Sequence, residues 1–185
     1  MPYFNPDAAT DAVALLVRFA GGRLHKVAVL KLLYFAERQA IAEGSMITRA
    51  TFYSMPRGPV ATEVLDLING NRTHARWSEC LRTDDNIVSR IRPPGPAHLS
   101  RNDINLLRHH WLQHRDSIDP LAFPTALVEY SHTFPEWRDP SIDGQLPISY
   151  EDILRAHNLT EDRIARILAL HAETWSWISC WGKPA

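Results

Sequence analysis

The spacing of apolar residues near the start of the chain predicts two amphipathic helices. Asn5 followed by Pro6 offers an N-cap and a proline at the first helical position, and apolar residues then recur every three or four positions until Gly21 and Gly22. Over residues 25–43 the apolar positions form two neighbouring stripes, so that the apolar arc is wide. A helix with such an arc is expected at the centre of the core.

Prolines and glycines interrupt this pattern after the second helix. Residues 47–53 look extended and lead into Pro56-Arg57-Gly58-Pro59, a sequence that excludes a regular helix. Pro59 suits the first position of a third helix, in which Val60 and Val64 begin an apolar stripe. In the polar segment that follows, the sequence Asp-Asp-Asn at residues 84–86 predicts the turn of a small β-hairpin.

The second half of the chain is predicted to be helical. Ser100 followed by Asp103 is a helix-start signal and predicts a helix that reaches about residue 116. A shorter helix is expected over residues 119–130, before a proline-rich loop over residues 134–147. Ser149 and Thr160 are the expected N-caps of the last two helices, of which the final one is long.

Along the whole chain these patterns predict a mainly α fold. We expect one irregular helical bundle domain over residues 1–185, with a small β-hairpin element. The hydrophobic fraction of 45% and the charged fraction of 22% are typical of folded soluble proteins. No internal repeat and no low-complexity segment is found, which excludes solenoids and tethered linkers.

The charge balance restricts the partners. Twenty Lys+Arg and 21 Asp+Glu give a formal net charge of -1, so the chain has no long-range attraction for nucleic acid or for an anionic membrane. The first residues carry no basic cluster, and the apolar stretch at residues 12–17 is too short for a signal sequence or a membrane span. We therefore expect a cytoplasmic protein that binds no membrane and recognises its partner by local contacts.

A metal-dependent or thiol-dependent enzyme is the catalytic alternative. His110 and His114 have the i, i+4 spacing that places two imidazoles on one helix face, but Trp111 stands where an HExxH site has its glutamate. Cys80 and Cys180 are far apart and are expected to be buried free thiols. Neither a Gly-rich phosphate loop nor a nucleophile elbow is present. We expect no catalytic residue, no metal site and no cofactor.

The end of the chain has features of two kinds of binding surface. Residues 149–168 have the outline of a helix-turn-helix, but Glu161 and Asp162 would face DNA phosphates, which favours a structural role. In the Trp-rich helical segment 160–181, Trp175 continues the buried stripe, whereas Trp177 and Trp181 add apolar surface on another side. These two tryptophans either pack inside the domain or contact a partner.

Several short motifs follow one another in a characteristic order. Lys31-Leu32-Leu33-Tyr34-Phe35-Ala36 precedes Gly44, the aromatic pair Phe52-Tyr53 and the turn Arg57-Gly58-Pro59-Val60. Leu99-Ser100, Ser131-His132, Trp137 and Pro147-Ile148-Ser149-Tyr150 come later. In the order and spacing of these motifs, residues 11–168 resemble the Panacea antitoxin domain, the SocA-like group that also includes phage-associated GepA-like proteins.

This resemblance implies a role in a toxin–antitoxin system. Its members are encoded beside a toxin, which they neutralise by direct protein contact and without catalytic residues. One branch delivers its toxin to the ClpXP protease, so a proteolytic adaptor is the alternative function. Where the family often has a tryptophan and a second aromatic residue before the turn, this chain has Met55-Pro56-Arg57.

Candidate partner contacts lie in three places. Arg57 precedes a rigid Gly-Pro turn and is expected to be exposed and held in a defined position, whereas core packing explains most other motif residues. His132 and Trp137 lie in a proline-bounded loop and form either a structural lock or part of a partner surface. The candidate residues are Met55, Arg57, Gly58, Pro59, Val60, His132, Trp137, Trp177 and Trp181.

Overall fold

A computed structural model of the chain describes residues 3–141 and 144–181, with side chains up to residue 173. Within these residues the fold is mainly helical, as predicted. The helices are α1 (Pro6–Phe19), α2 (Lys26–Ala42), α3 (Thr62–Asn69), α4 (Ala75–Cys80), α5 (Arg101–His114), α6 (Thr125–His132), α7 (Tyr150–Ala156) and α8 (Glu161–Trp181). The strands are β1 (Arg23–His25), β2 (Phe52–Met55), β3 (Gly58–Ala61), β4 (Leu81–Asp84), β5 (Ile87–Arg90) and β6 (Leu146–Ile148).

Two small antiparallel sheets flank the helices. One has the strand order β1-β5-β4 and contains the hairpin predicted at residues 84–86, where Asp85 adopts a positive φ of 54°. The other has the order β3-β2-β6, and its central strand pairs Phe52 with both Ala61 and Ile148. The second sheet therefore joins the middle of the chain to the segment that precedes α7.

Helix starts follow the local capping signals. The Asn5 side chain accepts a hydrogen bond from the Ala8 amide at 3.1 Å, with Pro6 as the first helical residue of α1. Ser100 with Asp103 forms a capping box at α5, and Ser149 forms one at α7. These polar contacts confirm the predicted starts.

Helix α2 lies at the centre of the core, as its wide apolar arc predicts. Thirteen of its 17 residues are buried. It packs against α1, α5, α6 and α7 and against strand β3. No helix in the described part of the chain is long and apolar enough to cross a membrane.

The prediction of a helix that begins at Pro59 is wrong. Residues 58–61 form strand β3, and α3 begins only at Thr62. Gly58 has a φ of +88°, which a helix does not allow, and β3 is an edge strand of its sheet. An edge strand accepts a proline because the missing N–H removes no ladder hydrogen bond there.

Other boundaries also differ from the predictions. The extended segment begins at Phe52 rather than at residue 47, and α6 begins at Thr125 rather than at residue 119. Helix α4 and strands β1 and β6 are not predicted by the sequence pattern. They are short elements, and a pattern of six residues or fewer contains too few apolar positions to establish a period.

The loop between α2 and β2 is held by a buried carboxylate. Glu37 is 1% exposed, and its side chain accepts hydrogen bonds from the amides of Ile47 at 3.0 Å and Thr48 at 2.7 Å and from the Thr48 hydroxyl. Burial raises the pKa of Glu37 to about 6, although these hydrogen bonds favour its charged form. The loop therefore depends on one acceptor supplied by the central helix.

We predict that Glu37→Ala lowers the free energy of unfolding by about 3 kcal/mol, because two buried amides and a hydroxyl lose their acceptor. Urea denaturation followed by tryptophan fluorescence measures this change. Glu129→Ala, at an exposed position of α6, is the control and should change the value by less than about 0.5 kcal/mol. Equal values for the two variants would contradict the proposed role of Glu37.

Candidate functional site

The β2–β3 hairpin contacts the loop that follows α6. The Trp137 indole Nε1 donates a hydrogen bond to the Met55 carbonyl oxygen at 3.1 Å. The same indole stacks on His132, with ring centroids 4.0 Å apart and an interplanar angle of 12°. These contacts join the hairpin to the segment that holds His132 and Trp137, the two residues for which sequence analysis left a structural role and a partner surface open.

A second buried carboxylate holds this loop on the central helix. The Glu136 side chain accepts hydrogen bonds from Tyr34 Oη at 2.9 Å and Arg38 Nε at 2.6 Å. Burial, and then the Glu136 carboxylate, raise the pKa of Tyr34 well above its usual value, so the phenol stays a neutral donor. Tyr34, in the motif Lys31-Leu32-Leu33-Tyr34, thus positions Glu136, the residue next to Trp137.

Lys31 of the same motif contacts strand β3 of the hairpin. It is 1% exposed, and its Nζ donates a hydrogen bond to the Pro59 carbonyl oxygen at 2.8 Å. Burial lowers the pKa of Lys31 to about 7. Sequence analysis did not select Lys31, although a lysine inside an otherwise apolar helical stripe signals a buried charge with a specific partner.

Gly58 is required where the hairpin meets Lys31. Its φ of +88° favours glycine, and an added Cβ would lie 2.1 Å from Ser131 Oγ and 2.8 Å from Lys31 Nζ. Gly58 and Pro59 are buried rather than exposed. Both residues therefore shape the hairpin from within and present no side chain to solvent.

An open cleft lies between the hairpin and the first turns of α2. Its volume is about 410 Å³, and we call it the hairpin cleft. Its walls are mostly apolar, and three predicted site residues line it, namely Met55, Arg57 and Val60. The complete lining is Lys26, Val27, Leu30, Lys31, Met55, Pro56, Arg57, Val60 and Leu65.

Arg57 lies at the mouth of the hairpin cleft, exposed as predicted. Its guanidinium carbon lies 5.2 Å from the centroid of the Phe123 ring, a cation–π contact that holds the side chain in place. Phe123 is itself 44% exposed and extends the apolar surface beyond the mouth. Sequence analysis placed Phe123 in a helix predicted over residues 119–130, whereas the structure has an irregular segment there before α6.

The hairpin cleft is locally cationic. Three of its nine lining residues are basic and none is acidic. The pKa of the neighbouring His25 is lowered by burial first and then by Lys26 and Arg57, while Asp85 acts in the opposite direction. A partner group that enters the cleft therefore meets apolar walls and positive charge.

The two histidines of the metal hypothesis lie on the same face of α5, as their spacing predicts. His110 Nε2 lies 3.0 Å from Gln39 Oε1, and both imidazoles pack against the Phe35 ring. Burial, followed by the neighbouring histidines, lowers the pKa of His110 to about 4. In the described residues, no group of three or more His, Cys, Asp or Glu side chains could hold a metal ion.

The other predicted features lie apart from the hairpin cleft. Cys80 is a free thiol packed in the core, 2% exposed. Helices α7 and α8 form the predicted helix–turn–helix outline, and acidic residues occupy the first turn of α8. The side chains of Trp177, Trp181 and Cys180 lie outside the described residues.

We predict that Gly58→Ala lowers the free energy of unfolding by about 3 kcal/mol or more, through backbone strain and the clash with Ser131 and Lys31. Gly70→Ala is the matched control, because Gly70 has a φ of +77° and no atom within 4 Å of an added Cβ. That variant should lose only about 1 kcal/mol. Thermal and urea denaturation measure the stability of both variants. Similar losses of stability in the two would contradict the close approach of Gly58 to Ser131 and Lys31.

We predict that the stability of the wild type rises relative to Lys31→Met as the pH increases from 7 to 9. The pKa of Lys31 is about 7 in the folded protein, below the value of about 10.4 expected when unfolded. Unfolding in this pH range therefore takes up a proton, and the difference changes by up to about 1.4 kcal/mol per pH unit. Lys26→Met is the control, and a constant difference across this range would contradict the prediction.

Comparisons with known proteins identify the family. A search of curated proteins and a search of solved structures find no match to this chain. A scan against protein-family models matches residues 29–138 to the family described as Antitoxin SocA-like, Panacea domain. These residues include most of α2, the β2–β3 hairpin, His132 at the end of α6 and Trp137 in the loop that follows. Because the match covers more than half of the chain, this protein belongs to the SocA-like, Panacea domain family of antitoxins.

Proposed function

We propose that this protein is an antitoxin that neutralises a cognate toxin by direct binding through the hairpin cleft. The observation that carries the proposal is the family match over residues 29–138, which contains all the cleft-lining residues except Lys26 and Val27. In this proposal the partner is a toxin encoded by an adjacent gene, and the protein acts in the cytoplasm. It requires no catalytic step and no cofactor.

The shape of the hairpin cleft supports this role. Interface energy concentrates where large side chains enter well-packed pockets, and a volume of about 410 Å³ admits such an anchor. Met55 and Leu65 are half-buried in the walls, and Phe123 is exposed beside the mouth. The unbound protein thus presents contiguous apolar surface at a place that its own core does not fill.

The rigidity of the hairpin supports it as well. Its turn is held by the Lys31 hydrogen bond to Pro59 and by the Trp137 hydrogen bond to Met55. A surface that is ordered before binding loses less conformational entropy when a partner docks. The predicted site residues Gly58, Pro59, His132 and Trp137 contribute to binding by positioning the cleft.

The first test is co-expression of the chain with each neighbouring gene product. Rescue of growth together with a stable complex supports neutralisation by direct binding. Absence of a toxic neighbour, or toxicity without rescue, would refute the proposal. The half-life of the toxin with and without this chain then separates stoichiometric inhibition from delivery to ClpXP, because only delivery shortens it.

We predict that Leu65→Gln weakens the complex with the neutralised toxin about tenfold, because a buried apolar wall of the interface becomes polar. Leu112→Gln on α5, where the leucine is 50% exposed and distant from the cleft residues in sequence, is the matched control. Calorimetric titration measures both affinities, and thermal denaturation checks that both variants are folded. If Leu65→Gln binds as tightly as Leu112→Gln, the toxin does not use the hairpin cleft.

A further inference from the structure

We propose that the toxin segment that occupies the hairpin cleft is acidic. In this arrangement a large apolar side chain enters the cleft, and carboxylates that flank it contact Lys26 and Arg57 at the mouth. The inference rests on the proposed function, since it specifies the chemistry of the bound segment at the same site. It concerns recognition only and adds no reaction.

The uncompensated charge of the cleft is the first argument. Lys26, Lys31 and Arg57 all line it, and no lining residue is acidic. The ion pairs found in the described residues are formed by other basic side chains, with Arg38, Arg76 and Arg155 among them. Positive charge around an apolar cavity that lacks an internal counter-ion favours an anionic partner.

The concentration of this charge is the second argument. The chain carries a formal net charge of -1, so the cationic character of the cleft does not follow from the overall composition. Two of the three lysines in the sequence, Lys26 and Lys31, lie at this one place. The positive charge at the cleft therefore favours an anionic partner, although the net charge of the whole chain does not.

The geometry of the mouth is the third argument. Arg57 is held over the Phe123 ring while its guanidinium stays exposed. A guanidinium in a fixed position can bind a carboxylate through two parallel hydrogen bonds, and little entropy is lost on binding. Lys26 is the first residue of α2, lines the cleft and is only half-buried, so its ammonium is available to a partner as well.

Lys31 adds to the positive charge of the cleft when it is protonated. Its side chain lies at the floor of the cleft, 1% exposed, and is bound to the Pro59 carbonyl. With a pKa of about 7, Lys31 is protonated in part of the molecules at neutral pH, and in that form it attracts an anion and repels a cation. A basic partner segment is therefore disfavoured even where its apolar side chain fits.

The test uses the full chain and the toxin that it neutralises. We expect the double variant Lys26→Glu/Arg57→Glu to weaken the complex by about a hundredfold, mainly through repulsion of the partner carboxylates. Glutamate at position 26 suits the first turn of α2, so the fold should be retained. The matched control is Arg101→Glu/Arg108→Glu, which reverses two exposed charges on α5 and should bind within about twofold of the wild type.

Salt and chemical cross-linking provide independent readouts. Raising the NaCl concentration should weaken the wild-type complex much more than the complex of the charge-reversed variant. Carbodiimide, which joins an amine to a carboxylate in direct contact, should link Lys26 to an Asp or Glu of the toxin, as identified by mass spectrometry. Lys26→Arg should retain binding but lose the cross-link, because it keeps the charge and removes the reactive amine.

The outcomes separate this inference from the proposed function. If the wild-type chain neutralises no toxin, both fail together. If it neutralises one and the charge-reversed variant binds as tightly as the wild type, the toxin segment is not acidic, while the antitoxin function stands. A Lys26 cross-link, a hundredfold loss and a steep salt dependence together support an acidic segment in the hairpin cleft.

Discussion

Helix α2 buries three polar side chains that must each find a partner away from water. Lys31 donates to the Pro59 carbonyl, Tyr34 donates to Glu136, and Glu37 accepts from the amides of the loop before β2. A buried polar group without a partner costs about 1–3 kcal/mol, and an unpaired charge costs more. The same helix therefore holds the β2–β3 hairpin, the loop after α6 and the loop before β2 in place. The positions of these three segments depend on one another through α2.

The hairpin cleft is a consequence of this arrangement. The Lys31 contact requires the hairpin to approach α2 so closely that only glycine fits at position 58. The Tyr34 contact with Glu136 places Trp137 where its indole binds the Met55 carbonyl. The two contacts hold the turn end of the hairpin but leave an open cavity beside it, which Val60 and Met55 line. Lys31 and Tyr34 thus position, from inside the core, the cleft that we propose as the binding surface.

This separation of roles fits the proposed function. The core contacts of Lys31 and Tyr34 are the same whatever the partner, because they involve only the chain itself. In the proposed function, the side chains of Arg57 and Lys26 at the cleft provide the specificity. Met55-Pro56-Arg57, the segment in which this chain departs from the expected family motif, lies at the cleft. Its charge is the feature that a particular toxin would have to match.

The sequence by itself determined the mainly α fold, the starts of α1, α5 and α7, the central place of α2, and the family. These features rest on local signals, namely apolar periodicity and capping residues, and on the order of short motifs. The hairpin cleft was decided only by the tertiary structure. Pro59 looked like the start of a helix, because its place on an edge strand depends on β2, and the contact of Lys31 with the Pro59 carbonyl joins residues that are far apart in the sequence. Phe123 and Leu65 could not be assigned to the site, because their neighbours there come from distant parts of the chain, and such proximity leaves no mark in the local sequence.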